Sequence, residues 1–141
     1  MKRLKYILIP MALLIGLIVV LVGCFSAPIE PGLRFDKTEA VKADWEELLS
    51  NPEEHRMDKV FIEGEVRIVF VDSNGDCSLE VKDDDSGYII AVYTDTLYRR
   101  YVQPICCRLS EGDRVKVWGY FFCYSYLPRP GIGACVMEKI K

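Results

Sequence analysis

Six cysteines and a single histidine bound the chemistry open to this chain. Cys77, Cys106, Cys107, Cys123 and Cys135 follow a sixth, Cys24, that stands apart near the N-terminus. No C-x-x-C or H-x-x-x-H spacing links them, so the four-ligand sets that hold structural zinc are missing, and neither a metal nor another cofactor is expected. In an oxidising compartment such thiols pair. Cys123 and Cys135 lie equally far from Arg129. In a regular hairpin centred there they face each other with Cβ atoms roughly 5 Å apart. That is close to what a disulfide requires, and a bulge would take them out of register. Cys77 is open to either Cys106 or Cys107 if the helix before those two folds over its strand, which leaves one thiol over.

The second group is aromatic. Trp118, Tyr120, Phe122, Tyr124 and Tyr126 occupy every second position, which on a strand is one face, while Val115, Val117, Phe121 and Cys123 share the other. Open aromatic rows stack on bases or sugars, so Trp118, Tyr120, Tyr124 and Tyr126 are the candidate ligand contacts. A row at this spacing also serves as cover for a sheet beneath a helix. Arg99, Arg100 and Arg108 surround a predicted helix and suit phosphate, or equally a solvated helix face with a cation at its end. Asp72, Asn74 and Asp76 have the first spacings of a calcium loop, with Asp83 at the twelfth place, but Gly75 is fourth rather than sixth, and a hairpin turn explains them better. His55 is isolated, no nucleophile has a base partner at readable spacing, and no glycine loop suits phosphates. No enzymatic activity is expected.

These residues need elements to position them. In Val60–Asp72, Val60, Ile62, Val66, Ile68 and Phe70 alternate with Phe61, Glu63, Glu65 and Arg67, as a half-buried strand requires, and Val69 and Val71 predict cover on both faces of its second half. Gly64 marks a bend or bulge in this first strand. Asn74-Gly75 is a tight-turn signal. Strands follow at Cys77–Lys82 and Tyr88–Thr94, then a helix over Thr96–Gln103 ended by Pro104, then strands at Arg114–Tyr126 and Gly133–Ile140. Upstream, Asp36-Lys37-Thr38-Glu39 predicts a capping box for a helix that carries Ala40, Val41, Trp45, Leu48 and Leu49 and stops at Asn51-Pro52. Trp45 and Leu48 are expected to lie on the barrel as a plug. The class is mainly β: five strands, one N-terminal helix and a short helix between strands three and four.

Three stretches resemble two known families. Lys2, Arg3 and Lys5 precede an apolar run, and Leu21-Val22-Gly23-Cys24 is similar to the lipobox of bacterial lipoproteins. The run Ile7–Val22 is shorter than the roughly 20 residues that span a bilayer comfortably. The resemblance implies a signal peptide over 1–23, a lipid such as palmitate on Cys24, a tether over 24–35, and a domain over 36–141 held on the extracytoplasmic face of the cell membrane. Asn51-Pro52 with Lys59–Val66 (K-V-F-I-E-G-E-V), and Leu109–Gly119 (L-S-E-G-D-R-V-K-V-W-G), resemble OB-fold domains of the tRNA-anticodon-binding-like group. That likeness implies a five-stranded Greek-key barrel.

The function expected from both is that of a membrane-anchored extracytoplasmic lipoprotein. Its barrel would be a non-catalytic binding module for a protein, peptide or glycan at the cell envelope. Setting aside Lys2, Arg3 and Lys5 takes the formal charge from −3 to −6, so nucleic acid is not expected among its partners. The alternative is an OB domain that binds single-stranded nucleic acid through the strand-four aromatics, with salt-sensitive affinity.

Overall fold

The computed structural model describes residues 34–123 and 129–141. After a 3-10 turn at Lys37–Glu39, the elements are β1 (Val41–Lys42), α1 (Trp45–Ser50), β2 (Lys59–Val71), β3 (Cys77–Asp83), β4 (Ile89–Thr94), α2 (Arg99–Cys106), β5 (Arg114–Phe122) and β6 (Gly131–Ile140). The strands run in the order β1-β2-β3-β4-β6-β5, and β2 pairs with β5 to close the ring. β4 and β6 are parallel; the other pairs in the ring are antiparallel. The result is a closed five-stranded barrel of OB-fold type with two helices and one extra strand, β1, which lies parallel on the start of β2.

β2 closes the barrel because it serves two partners in succession. Lys59–Glu65 pairs with β5, and Gly64–Val71 pairs with β3. Gly64 sits where both flank it, and a Cβ there would meet the Lys82 carbonyl oxygen at 2.1 Å. The bulge itself falls three residues later, at Arg67, where the register moves from Val66 opposite Val81 to Ile68 opposite Glu80. That extra residue reverses the parity of the strand. Up to Val66 the even-numbered side chains point into the core. Beyond it Ile68 and Phe70 point outward, 43% and 49% exposed, and Val71 at the strand's end is 58% exposed. The expectation of a second half covered on both faces is therefore corrected: a one-residue slip takes Ile68 and Phe70 out of the core.

The expected N-terminal helix is broken into pieces. Asp36 caps only the 3-10 turn, accepting from Thr38 N at 2.9 Å and Thr38 Oγ1 at 2.6 Å, while Glu39 pairs with Lys59 rather than reaching back. Those hydrogen bonds hold the Asp36 carboxyl below its ordinary pKa. Val41 and Lys42 then pair with Val60 and Phe61. A second aspartate, Asp44, caps α1 through Glu47 N at 3.1 Å. Trp45 and Leu48 are buried as expected, Trp45 edge-on to Phe121 at 5.8 Å. α2 packs across β6, β3 and β4, burying Val102 and Cys106. Pro104 lies inside α2 rather than ending it. The core comprises the inward positions of all five barrel strands, among them Phe121, Ile62, Leu79, Ile90 and Ile132.

Candidate functional site

The outer face of β2, β3 and β4 carries the most open aromatic surface among the described strands. Register places Phe70 opposite Ser78 and Ser78 opposite Tyr93, one row across three strands. Ile68, Glu80 and Ala91 make the next row. Phe70 is half exposed because the Arg67 bulge turned it out. Tyr93 faces out because its neighbours Ile90 and Val92 take the inward positions. Phe122 of β5 packs beside Tyr93, ring centres 5.4 Å apart at 51°. A Cβ on Gly133 would touch the Phe122 ring at 3.3 Å, so a glycine there leaves the ring its place.

Phe70 and Tyr93 line a cleft of about 440 Å³ together with Asp72, Asp76, Ser78 and Arg99. One wall is the hairpin between β2 and β3. The Asp72 carboxylate holds it by accepting from Asn74 N at 2.8 Å and Asp76 N at 2.9 Å, with Gly75 at φ +81°. The other wall comes from the end of β4 and α2. Arg99 pairs with Asp76, and Arg99 Nε donates to Gln103 at 2.8 Å. Gln103 Nε2 donates to the Gly75 carbonyl, and Thr94 Oγ1 donates to the Cys77 carbonyl at 2.8 Å. On the adjoining row Arg129 pairs with Glu80. The cations at the rim thus already face carboxylates, so the cleft offers ring faces and hydrogen-bonding groups more than free positive charge.

The disulfide is Cys77–Cys106, with Cα atoms 6.1 Å apart. Of the two partners open to Cys77, the last residue of α2 is the one that reaches it. Cys107 is an exposed free thiol. Cys123 and Cys135 are also free, which corrects the pairing expected for them. The β5–β6 hairpin is not centred on Arg129. Phe122 faces Gly131, where a hairpin centred on Arg129 would set it opposite Val136, and a bulge between Trp118 and Gly119 leaves Cys135 without a cross-strand partner. Cys135 Sγ donates to the Gly133 carbonyl at 3.6 Å, and burial pushes its pKa up to about 12. Cys123 Sγ lies 3.6 Å from Glu53, and burial raises its pKa as well.

The β5 aromatics are largely covered. Trp118 is buried under Phe61, Lys37 and Lys116, with Lys37 Nζ 4.3 Å from the ring centre. Tyr120 is half buried and meets the edge of Phe35 at 5.4 Å. Phe35, the last residue of the expected tether, is itself buried there. Tyr124, Tyr126 and the lipidation candidate Cys24 lie outside the described residues. His55 pairs with Asp58 at 2.9 Å, and among the described residues no cluster could hold a metal ion. Phe70 and Tyr93 were missed as site residues in the sequence. Alternation around Ile90 and Val92 does expose Tyr93, but nothing in Val60–Asp72 announces the bulge that turns Phe70.

No family model and no curated protein matches the sequence. Solved structures do. The OBody AM1L10, bound to hen egg-white lysozyme, superposes with a TM-score of 0.55 at 17% identity over 71% of this chain and 94% of that one. The S. pombe Stn1-ten1 complex gives 0.48 at 21% identity over 59% of this chain, which spans only 58% of the length of that one. The small single-stranded DNA-binding protein from Streptomyces coelicolor gives 0.42 at 16% identity over 60% and 93%. The expectation of an envelope module for a protein, peptide or glycan, with nucleic acid set aside, is corrected on this point. A single-stranded DNA-binding protein is among the structures this chain is similar to.

Proposed function

We propose that the barrel binds single-stranded nucleic acid, without catalysis, across the β2–β3–β4 face, with Phe70 and Tyr93 stacking on successive bases. The observation that carries this is the pair of outward rings lining one open cleft. Base–aromatic stacking is tolerant of sequence, because every base presents a π-face. With a net charge of −3 and the cleft arginine paired with a carboxylate, stacking rather than phosphate contact would carry the affinity. The OB-fold supports the reading as a scaffold that presents this face. Within OB domains, the residues of Leu109–Gly119 favour the tRNA-anticodon-binding-like group.

The compartment is a separate part of the proposal. The basic start, the apolar run and Leu21–Cys24 favour a lipid on Cys24 and a domain on the extracytoplasmic face of the cell membrane. The Cys77–Cys106 disulfide suits an oxidising compartment. Cys24→Ala is expected to move the protein from the membrane fraction to the soluble fraction; equal membrane recovery of both forms would remove lipid anchoring.

Fluorescence anisotropy with a labelled single-stranded oligonucleotide of about 12 nucleotides, within the site size of an OB fold, tests the binding itself. Phe70→Ala and Tyr93→Ala are each expected to weaken binding by about 5- to 150-fold, the equivalent of roughly 1–3 kcal/mol per stacked base. Trp118→Ala, which alters a covered ring, is expected to do less. No anisotropy change with the wild-type protein at low salt would end the proposal.

A further inference from the structure

We propose that the cleft is under redox control, with the Cys77–Cys106 disulfide as the clasp that holds its two walls at a fixed separation. This rests on the nucleic-acid reading only for the identity of the ligand. Cys77 opens β3, adjoins the 72–76 hairpin and itself lines the cleft. Cys106 ends α2, whose first residue, Arg99, lines the opposite wall. Both half-cystines are buried, and the covalent link joins the far end of the helix to the base of the hairpin.

Two polar contacts also join the helix to the hairpin. Gln103 donates to the Gly75 carbonyl, and Arg99 pairs with Asp76. The Arg99 and Asp76 side chains are 48% and 42% exposed. An ion pair this open contributes little by itself and weakens with salt. With the clasp opened, Asp72, Asp76 and Phe70 on one side are free to move against Thr96 and Arg99 on the other. The β5–β6 side of the barrel has no covalent share in the link and keeps its ladder.

The step balances with a dithiol as the reductant. One dithiol sulfur attacks the disulfide and releases one cysteine as a thiolate. The second dithiol sulfur then displaces the other cysteine, giving two cysteine thiols and an oxidised, disulfide-bonded reductant. Two electrons and two protons pass from the dithiol to the protein. The reverse requires a disulfide oxidant of the same class. Cys107, exposed and adjacent to Cys106, would scramble the pairing in a redox cycle, so Cys107→Ser is the background for the test.

Full-length Cys107→Ser protein in detergent would be followed oxidised and after reduction by dithiothreitol. Two readouts apply: peptide-level hydrogen exchange, and anisotropy with the same single-stranded oligonucleotide. On reduction, exchange over 72–76 is expected to rise while β5 and β6 stay protected, and oligonucleotide affinity is expected to fall at least tenfold. Cys77→Ser in the same background, left unreduced, is expected to match the reduced state; a mismatch overturns the proposal. Unchanged exchange over 72–76, exchange that rises across β5 and β6 as well, or equal affinity in both states would each overturn it. If neither state binds the oligonucleotide, the nucleic-acid reading fails, and exchange alone decides whether the clasp holds the walls.

Discussion

At the scale of single residues, the structure divides five cysteines into three environments. Cys77 and Cys106 are bonded, Cys107 is open, and Cys123 and Cys135 are buried thiols. Burial disfavours the thiolate, which is why the Cys135 pKa stands at about 12. A group whose pKa is higher in the folded state stabilises the fold fully below the unfolded thiol's value, and that stability is lost as pH rises towards the folded value. The protein is therefore expected to lose stability from about pH 9 upward to about pH 12. Cys135→Ala is expected to flatten that slope, as followed by chemical denaturation across the alkaline range. That Cys77 had a partner at the end of the following helix was legible in the sequence; the state of Cys123 and Cys135 was not. Symmetry about Arg129 presumed a hairpin centred there, and the register that sets Phe122 opposite Gly131 already takes Cys123 away from Cys135.

At the scale of elements, the strand pattern was legible because alternation over Val60–Val66, Cys77–Val81 and Ile90–Val92 leaves few other ways to bury those side chains. Gly64 was legible as a special position, though its role is close approach to the Lys82 carbonyl rather than the bulge. The bulge at Arg67 has no marker, because its cause lies in how β2 leaves β5 for β3. The N-terminal helix misled for a related reason. Asp36 and Asp44 are both good caps, and Val41, placed on a helical face by spacing, pairs instead with Val60. The elements depend on their covalent tie. A bridge spanning 29 residues stabilises by about 3–4 kcal/mol on chain-entropy grounds. Cys77→Ser is expected to lower Tm on the order of 15 °C in a domain of this size, read by thermal denaturation. A fall of only a few degrees would mean that packing of Val102 and its neighbours holds α2 without the bond.

At the scale of the whole molecule, charge decides how a strand would be held. Net charge is −3, and Arg99, Arg114 and Arg129 each face a carboxylate. A binder that neutralises only one or two phosphates of a single strand has a log–log salt slope of about −0.7 to −1.4. We expect a slope in that range when oligonucleotide affinity is titrated with salt. A slope of about −3 or steeper would mean that phosphate contacts, not stacking, carry the affinity. The start of the barrel unit also has a mechanical meaning. Phe35 seats against Tyr98 and Tyr120, and only two residues of β1 pair with β2 before the chain enters the barrel proper. Tension applied ahead of Arg34 meets this aromatic seat, its two rungs and then α1, held by buried Trp45 and Leu48, before it reaches the thirteen-residue strand that closes the ring. The short strap yields first, like a fuse, and the barrel behind it stays unloaded until the strap is gone.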